Sequence, residues 1–395
     1  DNFKPLPFTT SRASTATRVN ELGLIETVAS GIPRVDYLGN AKGAYLLEPQ
    51  STNLIAQSEA FSNSYWTKIG VSVVGGFSAP SVDSPLGAFK LVEGTSTGGH
   101  FQVTSALPNG VIGNSYSSSI FAKKGENNRV QISFGSGAFD GSSYANFDLN
   151  LGTVLIESNS TAKIESLSNG WYKCSASAVA TKTGATSAIL GLINSDTATR
   201  LSSYTGDGTS GVYIFGAQLE QKSYATSYIP TSGSAITRLA ESGSQTITNG
   251  IINSSEGVLF VEISSLVGAD NYRQITLSNG SLSDYVLLGF RNNTGNIYYQ
   301  VVVNSVVQAG FISSQSSINT FSKIAVKWKV NDFAIWVNGI ELSSDTSGNS
   351  FVANTLNVLN FNIIGVNNFF GNVKDLRVYN TADLTDLELE TLTKV

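Results

Sequence analysis

Trp171-Tyr172-Lys173-Cys174-Ser175-Ala176-Ser177-Ala178-Val179-Ala180 is the stretch whose reading decides the fold. Successive side chains of a strand point to opposite faces. Tyr172, Cys174, Ala176 and Ala178 therefore form one apolar strip, and Trp171, Lys173, Ser175 and Ser177 point the other way. That is a half-buried strand. Runs of the same kind recur at 117–122, 129–134, 144–149, 188–193 and 212–219, separated by Gly, Asn and Ser. A second series follows at 258–263, 285–290, 297–303, 322–330, 333–337 and 371–379. Many short strands with regular turn signals predict sandwiches or barrels.

Composition agrees. The chain has 395 residues, too many for one core, and 41% are hydrophobic, enough to build two. Only 13% are charged, and the polar load falls on Ser, Thr, Asn and 38 Gly, which suit turns. Asn338-Gly339 after 333–337 predicts a type I′ hairpin, because both residues tolerate positive φ. One helix is expected, at 383–393, where Thr385 and Glu388 have the spacing of a capping box. The fold class is thus all-β: two jelly-roll or concanavalin-like sandwiches in tandem, an extended N-terminal arm and one short C-terminal helix. The predicted boundaries are an arm at 1–44, holding at most a short strand pair, a jelly roll at 45–238, a linker at 239–255 and a second sandwich at 256–395.

Net charge is −5 with no dense basic stripe, which argues against nucleic acid as a partner. No apolar run is long enough for a helical membrane span, so membrane insertion is not expected. Neither sandwich carries a long heptad run, so no coiled-coil stalk is expected. The lone Cys174 allows no intrachain disulfide. The single histidine, His100, lies in Thr97-Gly98-Gly99-His100 and reads as a solvated or hydrogen-bonded loop residue, which leaves a serine triad or zinc site without its parts. The acidic residues Asp383, Asp386, Glu388 and Glu390 gather on the predicted helix rather than across a cleft. The chain reads as a non-enzyme.

Several blocks resemble a module of phage and prophage tail-associated proteins. They begin with Phe8-Thr9-Thr10-Ser11-Arg12-Ala13 and run through Gly23-Leu24-Ile25-Glu26, Pro33-Arg34-Val35-Asp36-Tyr37 and Leu46-Leu47-Glu48. Thr52-Asn53-Leu54-Ile55, Ser58-Glu59-Ala60-Phe61 and Trp66 follow, then Asn169-Gly170-Trp171-Tyr172-Lys173-Cys174 and Tyr204-Thr205-Gly206-Asp207-Gly208. Gly216-Ala217-Gln218-Leu219-Glu220 and Ala225-Thr226-Ser227-Tyr228-Ile229-Pro230-Thr231 close the series. Trp336-Val337-Asn338-Gly339 and Gly371-Asn372-Val373-Lys374-Asp375-Leu376 resemble laminin-G or concanavalin-type domains. The resemblance implies a jelly roll akin to carbohydrate-binding modules, carried on a virion protein at the particle surface. It also implies host-surface polysaccharide and other virion proteins as partners, and homo-oligomers, trimers above all. A head-fibre or decoration component without glycan binding, and a polysaccharide depolymerase, are the alternatives.

Sugars are gripped by aromatic faces with polar groups fixing the hydroxyls. Trp171 with Lys173, on the face opposite the apolar strip, is the first candidate platform; packing beneath a loop or neighbouring subunit is its alternative. Tyr65 and Trp66 are further candidates, Trp66 reading more readily as a core anchor, while Trp328 alternates with Ile324 and Val326 and reads as core. No cofactor is required by any motif. Through the resemblance, Glu59 and Glu220 become candidate ligands of a structural calcium, and Asp207 between two glycines is a third; hydrogen-bonded polar roles and turn chemistry are the alternatives.

Overall fold

The computed structural model describes residues 8–105, 107–266, 272–291, 295–316 and 320–395, and the first seven residues of the expected arm lie outside them. Two β-sandwiches follow one another. In the first, a six-stranded sheet runs in the order Thr161–Ser166, Trp171–Val179, Ser115–Lys124, Gly211–Glu220, Ala88–Glu93, Val71–Phe77. We call it the arm-facing sheet. The second six-stranded sheet runs Thr153–Ser158, Tyr144–Asp148, Arg129–Phe134, Ala188–Leu192, His100–Thr104, Trp66–Ile69. Ile120, Val130, Phe147, Cys174, Leu190 and Ile214 fill the space between the two. The strip Cys174, Ala176 and Ala178 faces this core, as the alternation predicts, with Tyr172 at its margin.

The C-terminal sandwich pairs two seven-stranded sheets over a core that includes Leu259, Ile275, Leu288, Tyr299, Trp328 and Phe361. Asn338 and Gly339 both take positive φ, 50° and 82°, at its hairpin. Its helix spans Asp386–Thr393, with the Thr385–Glu388 capping box formed in both directions. Leu389 of that helix packs on Val258, Ala325 and Trp336, on the sheet face turned away from the core.

The structure redraws the N-terminal segment and the linker. Thr9–Ser11 pairs with Ser242–Thr246, and both are strands of one C-terminal sheet. Ala44–Leu47 pairs with Gly371–Tyr379, and Val35–Asp36 pairs with Ala44–Leu47, extending the other sheet. Residues read as arm, as linker and as the first residues of the jelly roll therefore complete both sheets of the second sandwich. A hairpin of Ala16–Val19 and Ile25–Val28 folds back onto the arm-facing sheet. The expected short strand pair is this hairpin. Thr10 pairs with Gly243 and Leu46 with Asn372, partners more than 200 residues away in sequence, so no local pattern announces them.

A buried ionic cluster ties these pieces together. Arg12 and Arg34 both pair with Glu241, Arg34 also pairs with Glu48 at 2.8 Å, and Arg238 pairs with Glu48 at 2.8 Å. All five residues are at most 2% exposed. Burial alone would push the Glu48 carboxyl up, but the charges of Arg238 and Arg34 and the bonds from Ser227 outweigh it and hold Glu48 well below the usual carboxylate range. Asp36, also buried, is pushed up by burial, only partly offset by the Val19 N–H.

Removing one partner of a buried pair strands the other charge, at a cost of about 3–5 kcal/mol. Glu241→Gln, which removes the only carboxylate paired with Arg12 and one of the two paired with Arg34, should lower the unfolding free energy in urea by that amount. A variant within about 0.5 kcal/mol of wild type, the usual scatter for surface changes, would show the cluster to be dispensable. Glu48 has a depressed folded pKa, so its stabilisation is full above the unfolded value and is lost as pH falls. Stability should therefore drop from about pH 5 downward. Asp36, shifted upward, acts in the opposite sense, and Glu48→Gln should flatten the acid limb.

Candidate functional site

Where the arm hairpin crosses the arm-facing sheet, Trp171 is closed off. It is 3% exposed and packs with Val19, Ile25, Phe121, Leu167 and Phe215. This corrects the platform reading: a tryptophan whose face is covered by the arm has nothing to offer a sugar ring. Lys173 is 4% exposed, and its Nζ donates to the Thr226 carbonyl at 2.7 Å. Trp66 is 1% exposed in the jelly-roll core, with Nε1 donating to the Gln57 carbonyl at 2.9 Å. Tyr65 is half-buried, edge-on to Trp66 at 5.9 Å, and its hydroxyl accepts the Ala56 N–H at 3.2 Å.

The three carboxylates proposed for calcium serve separate structural tasks. Glu220 is wholly buried and accepts from Ser51 Oγ and from the Thr226 N–H and Oγ1. Glu59 accepts from Ser84 Oγ at 2.8 Å and Tyr228 OH at 3.1 Å, and burial, only partly offset by these bonds, pushes its carboxyl up. Exposed Asp207 closes its turn, accepting from the N–H and hydroxyl of both Thr209 and Ser210, which hold it below the usual range. Among the described residues no three His, Cys, Asp or Glu side chains are grouped to hold a metal. His100 is also relocated: it is 1% exposed on strand His100–Thr104, with Nδ1 2.6 Å from the Gly70 carbonyl and Nε2 3.1 Å from that of Tyr204.

The other half of the Trp171 face stays open. Ser175 and Ser177 line a cavity of about 540 Å³ walled by the arm, the arm-facing sheet, the 223–228 loop and the C-terminal sandwich. Thr17, Arg18 and Asp36 come from the arm, and Ser264, Ser265 and Asn372 from the second sandwich. A neighbouring cavity of about 550 Å³, lined by Ser115, Asp140, Ser143, Asn159 and Ser160, shares Thr161, Ser177 and Ser223 with it. The two are ends of one furrow.

Hydroxyls are many in this furrow, and its charged groups are each held by an ion pair or by hydrogen bonds: Lys173 bonds to the Thr226 carbonyl and Asp36 accepts from the N–H groups of Val19 and Leu38. Lys163 pairs with Glu165 at 2.6 Å, Arg18 with Glu26 at 2.6 Å, and Glu48 is held in the ionic cluster. At the far end, burial pulls Asp140 up but is outweighed by bonds from Ser142, Ser143 and Asn159, which hold its carboxyl low. Such a surface offers many neutral donors and acceptors and little free charge. Sequence reading found Ser175 and Ser177 through strand alternation. It missed the walls given by Ser264, Ser265 and Asn372, which reach the site only through the packing of two domains.

The architecture defines the class: tandem antiparallel β-sandwiches. No protein-family model matches the chain. No curated protein matches it. Among solved structures it is similar to the mouse laminin alpha1 chain, domains LG4-5, at 12% identity and a TM-score of 0.27, over 75% of this chain and 91% of that one. It is also similar to a native heptameric SAP-like pentraxin from Limulus polyphemus, at 14% identity and 0.28, over 35% and 69%. Sheep galectin-11 in complex with glycerol matches at 7% identity and 0.24, over 35% and 95%.

Trp171→Ala should cost about 3–5 kcal/mol, the range for truncating a buried aromatic. Thermal unfolding measures it, and a loss under about 1 kcal/mol would mean that the arm does not cover this face.

Proposed function

We propose that this chain is a virion-associated adhesin of the bacteriophage tail or fibre type that binds host-surface carbohydrate in the furrow between its sandwiches. The observation that carries the binding role is the furrow itself, long, rich in hydroxyls and with its charged groups each engaged by an ion pair or hydrogen bonds. Sugar hydroxyls need many neutral hydrogen-bonding partners, and a chain of rings needs a trough rather than a pit. The virion setting is supported by the ordered blocks across residues 8–238 that resemble tail-associated proteins. Binding without turnover fits the carboxylates here: Glu48 and Glu165 are each committed to a cation, and Asp36 and Asp140 to backbone, hydroxyl and amide donors. The reading includes self-association, with a trimer expected, and docking on other virion proteins.

A glycan array probed with the purified chain tests the binding role. Specific hits should appear, and Ser177→Trp, which fills the waist of the furrow, should remove them while leaving the unfolding temperature in place. A blank array from a folded sample would contradict carbohydrate binding and favour a purely structural virion role. Reducing ends released from a bound polysaccharide would contradict the non-catalytic reading.

A further inference from the structure

Three aromatic side chains among the described residues line the furrow: Phe121, Tyr224 and Tyr228. Phe121 and Tyr228 are 2% and 4% exposed, and they pack edge-on to each other at 5.8 Å and against Phe215. The Tyr228 hydroxyl is engaged by Ser58 and Glu59. Tyr224 differs on each count. It is half-buried, its ring meets no other ring, and its hydroxyl has no hydrogen-bond partner among the described residues. Solvent reaches that hydroxyl, so it is not a sealed group.

Asn372 is its counterpart on the C-terminal sandwich. It lines the same cavity and is half-buried, and its side-chain amide is open to solvent with no partner among the described residues. Ser177 Oγ on the arm-facing sheet and Ser223 Oγ on the 223–228 loop are in the same state. These four groups are neutral, and between them they offer both donors and acceptors. A sugar hydroxyl needs both. Lys163, Arg18 and Lys173 are already engaged, so a ligand carboxylate would have to break an existing contact to find its counter-ion.

Both sides are fixed in advance. The Tyr224 carbonyl accepts Ser117 Oγ at 2.9 Å, and Thr226, two residues on, is held by Glu220 through its N–H and hydroxyl. Asn372 sits on a strand paired on both sides, opposite Ser264 and Leu46. Groups already in place lose little entropy on binding. Burial and the Glu48 and Glu220 charges push the Tyr224 phenol well above its usual value, which keeps it a neutral donor.

We propose that Tyr224 and Asn372 form a clamp on a neutral pyranose that bridges the two sandwiches. The sugar's apolar C–H face lies on the Tyr224 ring, and its hydroxyls bond to Tyr224 Oη, the Asn372 amide and Ser177 Oγ. The clamp deepens the glycan-binding reading of the furrow and rests on it.

A glycan array probed with the full chain tests it, printed with neutral oligosaccharides of glucose, galactose and N-acetylglucosamine beside oligosaccharides containing a uronic acid. Neutral glycans should bind. Tyr224→Phe and Asn372→Ala should each weaken that binding roughly tenfold, the worth of one hydrogen bond. Neither should lower the unfolding temperature, since neither group has a protein partner. Undiminished binding in both variants, with binding lost in Ser177→Trp, overturns the clamp and leaves the furrow standing. A loss confined to one of the two variants overturns the two-sided arrangement. Hits confined to uronic-acid glycans overturn the neutral class. Binding untouched by Ser177→Trp, or a blank array from a folded chain, removes the furrow reading and the clamp with it.

Discussion

The structure depends on burying three guanidinium groups, Arg12, Arg34 and Arg238, against two carboxylates, Glu48 and Glu241. Isolated charges do not survive such burial; they must be paired and have their remaining donors satisfied. Backbone carbonyls satisfy most of these donors, though Arg238 Nε has no hydrogen-bond partner among the described residues. Arg12 donates to Ser14 O and Ala29 O, Arg34 to Thr17 O, and Arg238 to Pro49 O, at 2.6–2.8 Å. The partners lie on the arm, on the chain leading into the jelly roll and on the former linker. Each needs the others in place before its own burial is tolerable, so the cluster makes one unit of segments that would otherwise fold as separate pieces.

The same cluster shapes the furrow. Ser227 bonds to Glu48 through both its N–H and hydroxyl, at 2.8 and 2.6 Å, and accepts from Arg34 and Arg238. Its neighbour Thr226 is held by Glu220 and receives Lys173 on its carbonyl. The 223–228 loop, which lines both ends of the furrow, is thereby fixed from below. Stability and the candidate function are linked at this loop: whatever loosens the ionic cluster also loosens a wall of the site.

Period-two alternation made most strands legible, because one face of each is buried in a local, repeating way. The Asn338-Gly339 turn and the Thr385 capping box were legible for the same reason, since their chemistry closes within four residues. Trp171 was misread because its alternation is correct and its cover is remote: the strand does turn it away from the jelly-roll core, and the arm hairpin then buries it from outside. Glu220 came forward as a candidate calcium ligand through the family resemblance; Ser51 and Thr226 surround it, which is the hydrogen-bonded alternative, and neither neighbour is local enough in sequence to announce itself. The clue available in sequence was Arg34 and Glu48 set among apolar residues in Pro33-Arg34-Val35 and Leu46-Leu47-Glu48. Charges placed inside short strand-like runs point to buried pairing, although not to the partner.

The central claim is that the N-terminal segment is structural core, and hydrogen exchange followed by mass spectrometry on the intact chain tests it most directly. Peptides covering Ala16–Val19 and Ala44–Leu47 should be protected as strongly as those from Gly257–Ser265 in the C-terminal core. Exchange of the N-terminal peptides orders of magnitude faster than that strand would contradict the account, because it would mean that the segment opens while the sandwiches remain folded.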